Sequence, residues 1–273
     1  MDPLFDDTAR AAHLARAARA PALFLQEAVA DEILDRLEEV NRTFRDVVVV
    51  TDWPQVWQPR LPGARLIPMT EVLPLEDASC DLVIHALSLH WANDVVGQIV
   101  QARRALRPDG LFLGTGLGGR TLQELRAALG QAETQVTGGL SPRVAPMADV
   151  RDSGALLQRA GLALPVADST LYPVSYETPL ALMRELRAMG ESNAMTGRLK
   201  TFTRRAVMAE AMRLYSDHFG TEDGRVTATF EVVTLTGWAP SAEQPQPLRP
   251  GSAKTRLADA LRVPERPLDP RGD

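Results

Sequence analysis

Apolar positions along this chain change period repeatedly, and the changes mark an alternation of helices and strands. In "EAVADEILDRLEEV", Val29, Ile33, Leu37 and Val40 recur at helical spacing while Glu32 and Arg36 form an i,i+4 pair on another face, which predicts a helical lead-in. The β-branched run "VVVV" at 47–50 reads as a strand buried on both faces, as a parallel sheet requires. "DLVIHAL" at 81–87 and "LFLGT" at 111–115 read as two more. Between them "NDVVGQIVQARRAL" carries Val95, Val96, Ile99, Val100 and Leu106, with a cap at Asn93 or Asp94 and with Pro108 and Gly110 ending it. This strand, helix and strand predict a right-handed parallel crossover.

A further helix is predicted from Thr121, where the hydroxyl and the carboxylate of Glu124 form a capping box. "DSGALLQRAG" at 152–161 ends on Gly161, and "TPLALMRELRAMG" has Pro179 in its first turn and Gly190 after its last. "TRRAVMAEAMRLYSDHFG" follows as a helix, and "TATFEVVTLTGW", soon after the turn-like "EDGR", reads as a closing strand. From Pro240 onward seven prolines in 34 residues predict a surface-draped or disordered tail. The expected organisation is therefore a lead-in over 1–45, an α/β domain over 46–240 whose residues 139–225 form a helical insertion or lid, and a Pro-rich tail over 241–273.

Composition narrows the function classes. At 273 residues and 45% hydrophobic, the chain can bury a core of its own. Thirty basic against 35 acidic side chains give a net charge of -5 and a pI near 5.5, so a phosphate backbone exerts no attraction and nucleic acid is not an expected partner. The single Cys80 has no partner within the chain and is expected as a core thiol in a reducing compartment. No stretch reaches the roughly 18 to 20 apolar residues of a membrane span, and no tripartite secretory signal opens the chain. The start has the Arg and Ala content of a mitochondrial transit peptide, but Asp2, Asp6 and Asp7 argue against that, so the expected location is cytoplasmic.

Gly114, Gly116 and Gly119 follow the spacing G-x-G-x-x-G. A dinucleotide fingerprint belongs on the first strand-to-helix turn, with an acidic residue about 20 positions later ending a second strand. Here the loop follows a complete crossover and is followed by helix and then "TGGLSPRV". The context assigns these glycines to a structural or substrate-side turn.

"LPLEDASCDLVIHALSLHWANDVVGQIVQARRALRPDGLFL" resembles the central half of class I S-adenosylmethionine-dependent methyltransferases. "SLHWAND", "GGRTLQELRAAL", "AETQVTGGLSPR", "RAMGESNA" and "EDGRVTATFEVVTLTGW" extend the resemblance over about residues 24 to 240, to the methyltransferase-like assembly factors of respiratory complex I, whose mitochondrial members hydroxylate an arginine of a core subunit. The resemblance implies a Rossmann-like sheet, S-adenosylmethionine as cofactor and a protein target. This chain departs from the pattern after its first strand, where "VVVVTDWPQVWQPRLPGARLIPM" has no glycine before Gly63 and places Trp53, Pro54 and Trp57 instead. The stretch from Val50 to Asp81 is also short for the two helices and two strands that the family builds there. Only "RLIP" at 65–68 fits as a strand, so one βα unit is expected to be lost or compressed, and the alternative to an enzyme is a pseudo-methyltransferase without cofactor.

Candidate residues follow. Asp52 ends the first strand, where it is open to two readings, a ribose ligand or a turn residue. Trp53 and Trp57 either fill the cofactor volume or stack on adenine, with filling favoured by their apolar area. Glu71 is the only carboxylate near the adenine-facing position, and with Asp52, Trp53 and His85, near the carboxyl end of the "DLVIHAL" strand, it makes up the candidate cofactor side. His90 is a candidate general base beside Ser88, with a structural turn histidine as the alternative. Trp91, Gly118, Gly119, Glu124, Glu191 and Asn193 are placed on the substrate side. Four scattered histidines, His13, His85, His90 and His218, make no recognisable metal pair.

Overall fold

The computed structural model describes residues 3–40 and 42–244 and, beyond them, 256, 258–259 and 262–264. These belong to two units, divided between Pro240 and Ser241. The expectation for the Pro-rich tail falls mostly outside the described residues.

Six strands form one sheet: β1 (Val47–Val50), β2 (Arg65–Ile67), β3 (Cys80–His85), β4 (Leu106–Leu117), β5 (Ala163–Tyr176) and β6 (Val226–Trp238), in the order β2-β1-β3-β4-β6-β5. The first four are parallel, and β6 runs antiparallel to both β4 and β5. Alternate side chains split the core into two layers, as a doubly covered sheet demands. Val49, Leu82, Ile84, Leu111 and Leu113 face one layer, while Val48, Val50, Val83 and Phe112 face the other.

The first layer is covered by α2 (Phe24–Glu39), the single turn α3 (Pro54–Trp57), α5 (Gln123–Thr137), α7 (Pro179–Met189) and α8 (Arg205–Phe219). The second is covered by α4 (Val95–Ala105) and α6 (Val150–Arg159). Cys80 is buried in that second layer, its thiol pushed up to about 11 by burial. Between β1 and β3 the chain forms only α3 and the three-residue β2, so the expected loss of a βα unit is visible as a one-turn crossover.

Several elements differ from the sequence reading. The capping box at Thr121 does not form: α5 begins at Gln123, Thr121 Oγ1 exchanges hydrogen bonds with the backbone of Glu231, and Glu124 accepts from the Thr229 amide and hydroxyl. Cross-strand partners on β6 outcompete the local cap. β4 begins at Leu106, directly after α4, and absorbs Pro108 and Gly110 in an irregular register opposite Cys80 and Leu82. Within 139–225 the helices α6, α7 and α8 are joined by the edge strand β5. A first helix, α1 (Asp7–Ala17), precedes the lead-in helix α2, capped by the Asp6 carboxylate.

Candidate functional site

β1 and β3 end together, with Val50 opposite His85, while β4 pairs Gly114 with His85 and runs on to Leu117. Ligands of open α/β sheets bind beyond such carboxyl ends. After β3 the chain turns into a short 3-10 helix, Leu89–Trp91, and lies against β4. A Cβ on Gly114 would stand 2.6 Å from the Phe112 ring and 2.8 Å from Leu89 Cδ1, and one on Gly116 would stand 3.2 Å from the His90 nitrogen. The first two glycines of G-x-G-x-x-G thus admit this turn, and the Gly119 amide donates to the Ala148 carbonyl.

His85 anchors the turn from beneath. Gln98 Nε2 donates to the carbonyls of Thr70 and Glu71, which leaves its Oε1 facing His85 Nε2 at 3.2 Å. The imidazole proton therefore sits on Nε2, and Nδ1 accepts from the Ser88 hydroxyl at 3.0 Å. Burial pushes His85 down to about 4, against the Gln98 bond, so the ring is neutral near pH 7. Ser88 is buried as well and has its hydroxyl engaged. Glu71 lends its carbonyl to this network while its side chain is exposed.

His90 and Trp91 point to the opposite side, toward Glu191. The Leu117 N–H donates to His90 Nδ1 at 3.2 Å, and His90 Nε2 lies 3.3 Å from Glu191 Oε2. Trp91 Nε1 donates to both oxygens of the same carboxylate at 3.1 and 3.2 Å. Glu191 is delivered by Gly190, whose φ of +86° closes α7; a Cβ there would also stand 2.9 Å from Leu14 Cδ2. Burial opposes ionisation of Glu191, but the His90 ring, the Trp91 N–H and Arg10 outweigh it and hold the carboxyl below its ordinary range.

A cavity of about 230 Å³ opens at this carboxylate. Phe5, Trp91, Leu117 and Met147 give it apolar walls, and His90, Glu191, Asn193 and Arg143 supply the polar ones. Arg143 is committed to both oxygens of Glu133, whose carboxyl it pulls down to about 2, and to Thr203. Asn193 donates to the Pro142 carbonyl and accepts from the Met195 amide. Of the residues expected on the substrate side, Trp91, Glu191 and Asn193 meet here with His90. Gly118, Gly119 and Glu124 do not line the cavity. Gly118 approaches the Glu231 carboxylate, where a Cβ would stand 2.7 Å away, and Glu124 is turned to β6.

The bend after β1 has a different character. The Thr51 amide donates to Ile67, the Trp53 amide donates to Thr51 Oγ1, and Pro54 has no N–H. The turn-residue reading of Asp52 gives way to a largely buried ion pair with Arg10 of α1. Burial raises the Asp52 carboxyl above its ordinary range, with Arg10 pulling the other way. Trp53 and Trp57 are both core residues, and Arg10 also lies 5.7 Å from the Trp91 ring. Asp52 and the two tryptophans therefore belong to a closed bend next to the Glu191 cavity. Arg10 and Phe5 escaped the sequence reading, because the N-terminal segment has no apolar period to flag them. Among the described residues no group of three or more His, Cys, Asp or Glu side chains is gathered as a metal site.

Comparison with known proteins places this chain among relatives. A family model described as a methyltransferase domain matches residues 37–114. The mitochondrial arginine-hydroxylase NDUFAF5 of Danio rerio is 38% identical over 203 residues, 74% of this chain and 63% of the relative. Its Homo sapiens counterpart is also 38% identical over 203 residues, 74% of this chain and 59% of the relative. The malonyl-[acyl-carrier protein] O-methyltransferase of Methylovorus sp. is 36% identical over 172 residues, 63% of this chain and 55% of the relative. The chain thus spans less than two thirds of the length of these relatives. The mitochondrial NDUFAF5 relatives overturn the expectation of a cytoplasmic location. No helix among the described residues is long and apolar enough to cross a membrane.

Proposed function

The chain is a member of the class I S-adenosylmethionine-dependent methyltransferase superfamily, related to the NDUFAF5 arginine-hydroxylases, and from that premise we propose that it binds an arginine side chain of a protein target, a subunit of respiratory complex I, in the cavity at Glu191. One observation carries this reading: an ionised, mostly buried carboxylate, fixed by His90 and Trp91, stands in the wall of a largely apolar cavity. A guanidinium on an aliphatic stem matches that combination, since its head pairs with a carboxylate while its stem is covered by Leu117, Met147 and Phe5.

Each polar group then has a part. Glu191 is the contact residue. His90 is a positioning residue rather than a base, because its free lone pair already accepts from Leu117 and its N–H holds Glu191. Ser88 and His85 support the turn from the sheet side.

The residues of the β1 bend do not fit the family's methyl donor. Two of its amides are committed internally, Pro54 offers none, and Asp52 is neutralised by Arg10. The reading is therefore an assembly or interaction protein of methyltransferase ancestry, with the donor site closed. An active methyltransferase is the second reading, favoured by the family match across β1 to β4.

Calorimetric titration tests the first reading. An arginine-bearing peptide is expected to bind more tightly than its citrulline counterpart, and Glu191→Gln is expected to remove that preference. Loss of a charge-assisted contact of this kind corresponds to roughly 1.5–3 kcal/mol, or about 10- to 150-fold in affinity. Equal binding of the two peptides sinks the proposal. A melting-temperature rise of roughly 5–10 °C with millimolar S-adenosylmethionine, the response of a domain this size to about 2.7 kcal/mol of ligand binding, favours the second.

A further inference from the structure

Beside the cavity at Glu191 lies a second one of about 340 Å³, and Arg143, Met183 and Asn193 face both. Its walls are apolar and compliant, with Leu129, Leu199, Met183 and Met208. Arg198 and Leu199 of its wall open the segment 198–205, "RLKTFTRR", which leads into α8, whose Met208 also lines the cavity, and which carries four cations in a chain whose net charge is -5. Arg198 pairs with Asp6. Lys200, Arg204 and Arg205 make no ion pair and no side-chain hydrogen bond among the described residues, and all three are exposed.

Helix stability does not account for these charges. Arg204 is the N-cap of α8 and Arg205 its first residue, and the first turn holds no acid. Both guanidinium groups therefore stand at the positive end of the helix dipole, where a cation is unfavourable. Between the cations Phe202 is wholly exposed, at 101%, and Leu199 is 44% exposed. Apolar side chains ringed by uncompensated charge of one sign mark a surface that a partner covers.

We propose that the second cavity and its basic rim hold the part of the target segment that flanks the inserted side chain, so that one stretch of protein presents a basic residue to Glu191, an apolar residue over Met183 and Met208, and an acidic run along 198–205. This rests on the reading of the Glu191 cavity as a site for a protein side chain. The two ends of the groove carry opposite charge, so a segment of uniform charge satisfies only one of them. A segment with charge segregated along its length satisfies both, and the separation fixes its direction and register.

The experiment uses the full chain and fluorescein-labelled peptides read by anisotropy. Each peptide joins an arginine to a Glu-Glu-Glu run through a leucine-containing spacer, in both chain directions; controls replace the glutamates by glutamines. The glutamate peptide of one direction is expected to bind about tenfold more tightly than its glutamine control, with an advantage that fades at high salt. The variant Lys200→Glu/Arg204→Glu/Arg205→Glu is expected to abolish that advantage with a melting temperature no lower than wild type, because the new carboxylates suit the N-terminus of α8, and Phe202→Ser to weaken both peptides of that direction. Glu191→Gln separates the two claims. If it leaves affinity unchanged while the triple reversal abolishes the glutamate preference, the arginine reading fails and the basic rim stands. Equal binding of glutamate and glutamine peptides by the wild type overturns the inference. So does a triple variant that keeps the preference but no longer sediments with vesicles of 30% phosphatidylglycerol, which would assign the rim to a bilayer surface.

Discussion

Replacing Arg10 by methionine removes a cation that lies with its partner Asp52 almost out of solvent, the two side chains being 10% and 12% exposed. Burial already makes Asp52 harder to ionise than an ordinary carboxyl, and the nearby Glu191 adds repulsion. Without Arg10 the carboxylate keeps both penalties and loses the attraction that offsets them. Breaking one partner out of a buried pair costs about 3–5 kcal/mol, and the lost approach to Trp91 adds roughly 0.5–1 kcal/mol. With a discount for the residual exposure, R10M is expected to lose about 3 kcal/mol near pH 8, a large part of the roughly 5–15 kcal/mol of a typical domain. In R10M/D52N both charges are gone, so most of that loss should return. The pH dependence has a definite sign. The folded-state pKa of Asp52 is raised above its unfolded value, and further so in R10M, so the penalty is full above the folded pKa and fades as the native state takes up the proton on acidification. Urea unfolding followed by tryptophan fluorescence at pH 8 and pH 5 measures all three variants. A cost below about 1 kcal/mol at pH 8, or one that grows at pH 5, would refute the view that this pair holds the β1 bend shut.

Other expectations follow from the same geometry. His85 has its folded pKa depressed to about 4 against about 6.5 unfolded, so the native state binds fewer protons and stability falls as pH drops from 6.5 toward 4. The loss is about 3 kcal/mol at 1.36 per unit, and unfolding of His85→Gln across that range should show a shallower acid slope; an unchanged slope rules out the buried neutral ring. Gly114→Ala should cost about 1–3 kcal/mol by overpacking against Phe112 and Leu89. Gly63→Ala, which meets nothing within 4 Å, should be within about 0.5 kcal/mol of wild type. Equal melting temperatures for the two variants would contradict the packing role of the glycine pattern.

β1, β3 and β4 were legible because a parallel strand buried on both faces must be largely apolar, as 47–50, 81–87 and 111–115 are. α4 was legible because one apolar stripe and the Asp94 cap coincide. α1 was not, because its buried residues are Arg10 and Ala17, and an ion pair replaces the apolar face that pattern reading needs. β5 carries Pro165 and Pro173 and only one buried position, Tyr176, all tolerated at a sheet edge, where no second partner demands N–H donors. The Thr121 and Glu124 pair matched a capping box in spacing, yet both side chains answer to β6, more than 100 residues away. The candidate site divides in the same way. "SLHWAND" and "GESNA" pointed to His90, Trp91, Glu191 and Asn193 as separate motifs. That His90 meets Glu191 across 101 residues is a property of the fold alone.

The shortened crossover and the N-terminal segment are linked physically. A one-turn α3 and a three-residue β2 leave the carboxyl end of β1 without the cover that a full βα unit provides, and Asp52 sits there with a charge that burial alone makes costly. α1 supplies the missing cover and the missing cation together. The segment before it is held in place by the Asp6 amide donating to the Ala194 carbonyl, the Thr196 amide donating to the Leu4 carbonyl, and the Asn93 side chain exchanging two bonds with the backbone of Phe5, a wall residue of the Glu191 cavity. Phe5 in turn stands edge to face with Trp91, 4.9 Å between ring centres. The segment that neutralises Asp52 thus also shapes the cavity at Glu191. On the proposed reading, closing the methyl-donor side and building the protein-binding side are two consequences of one compression.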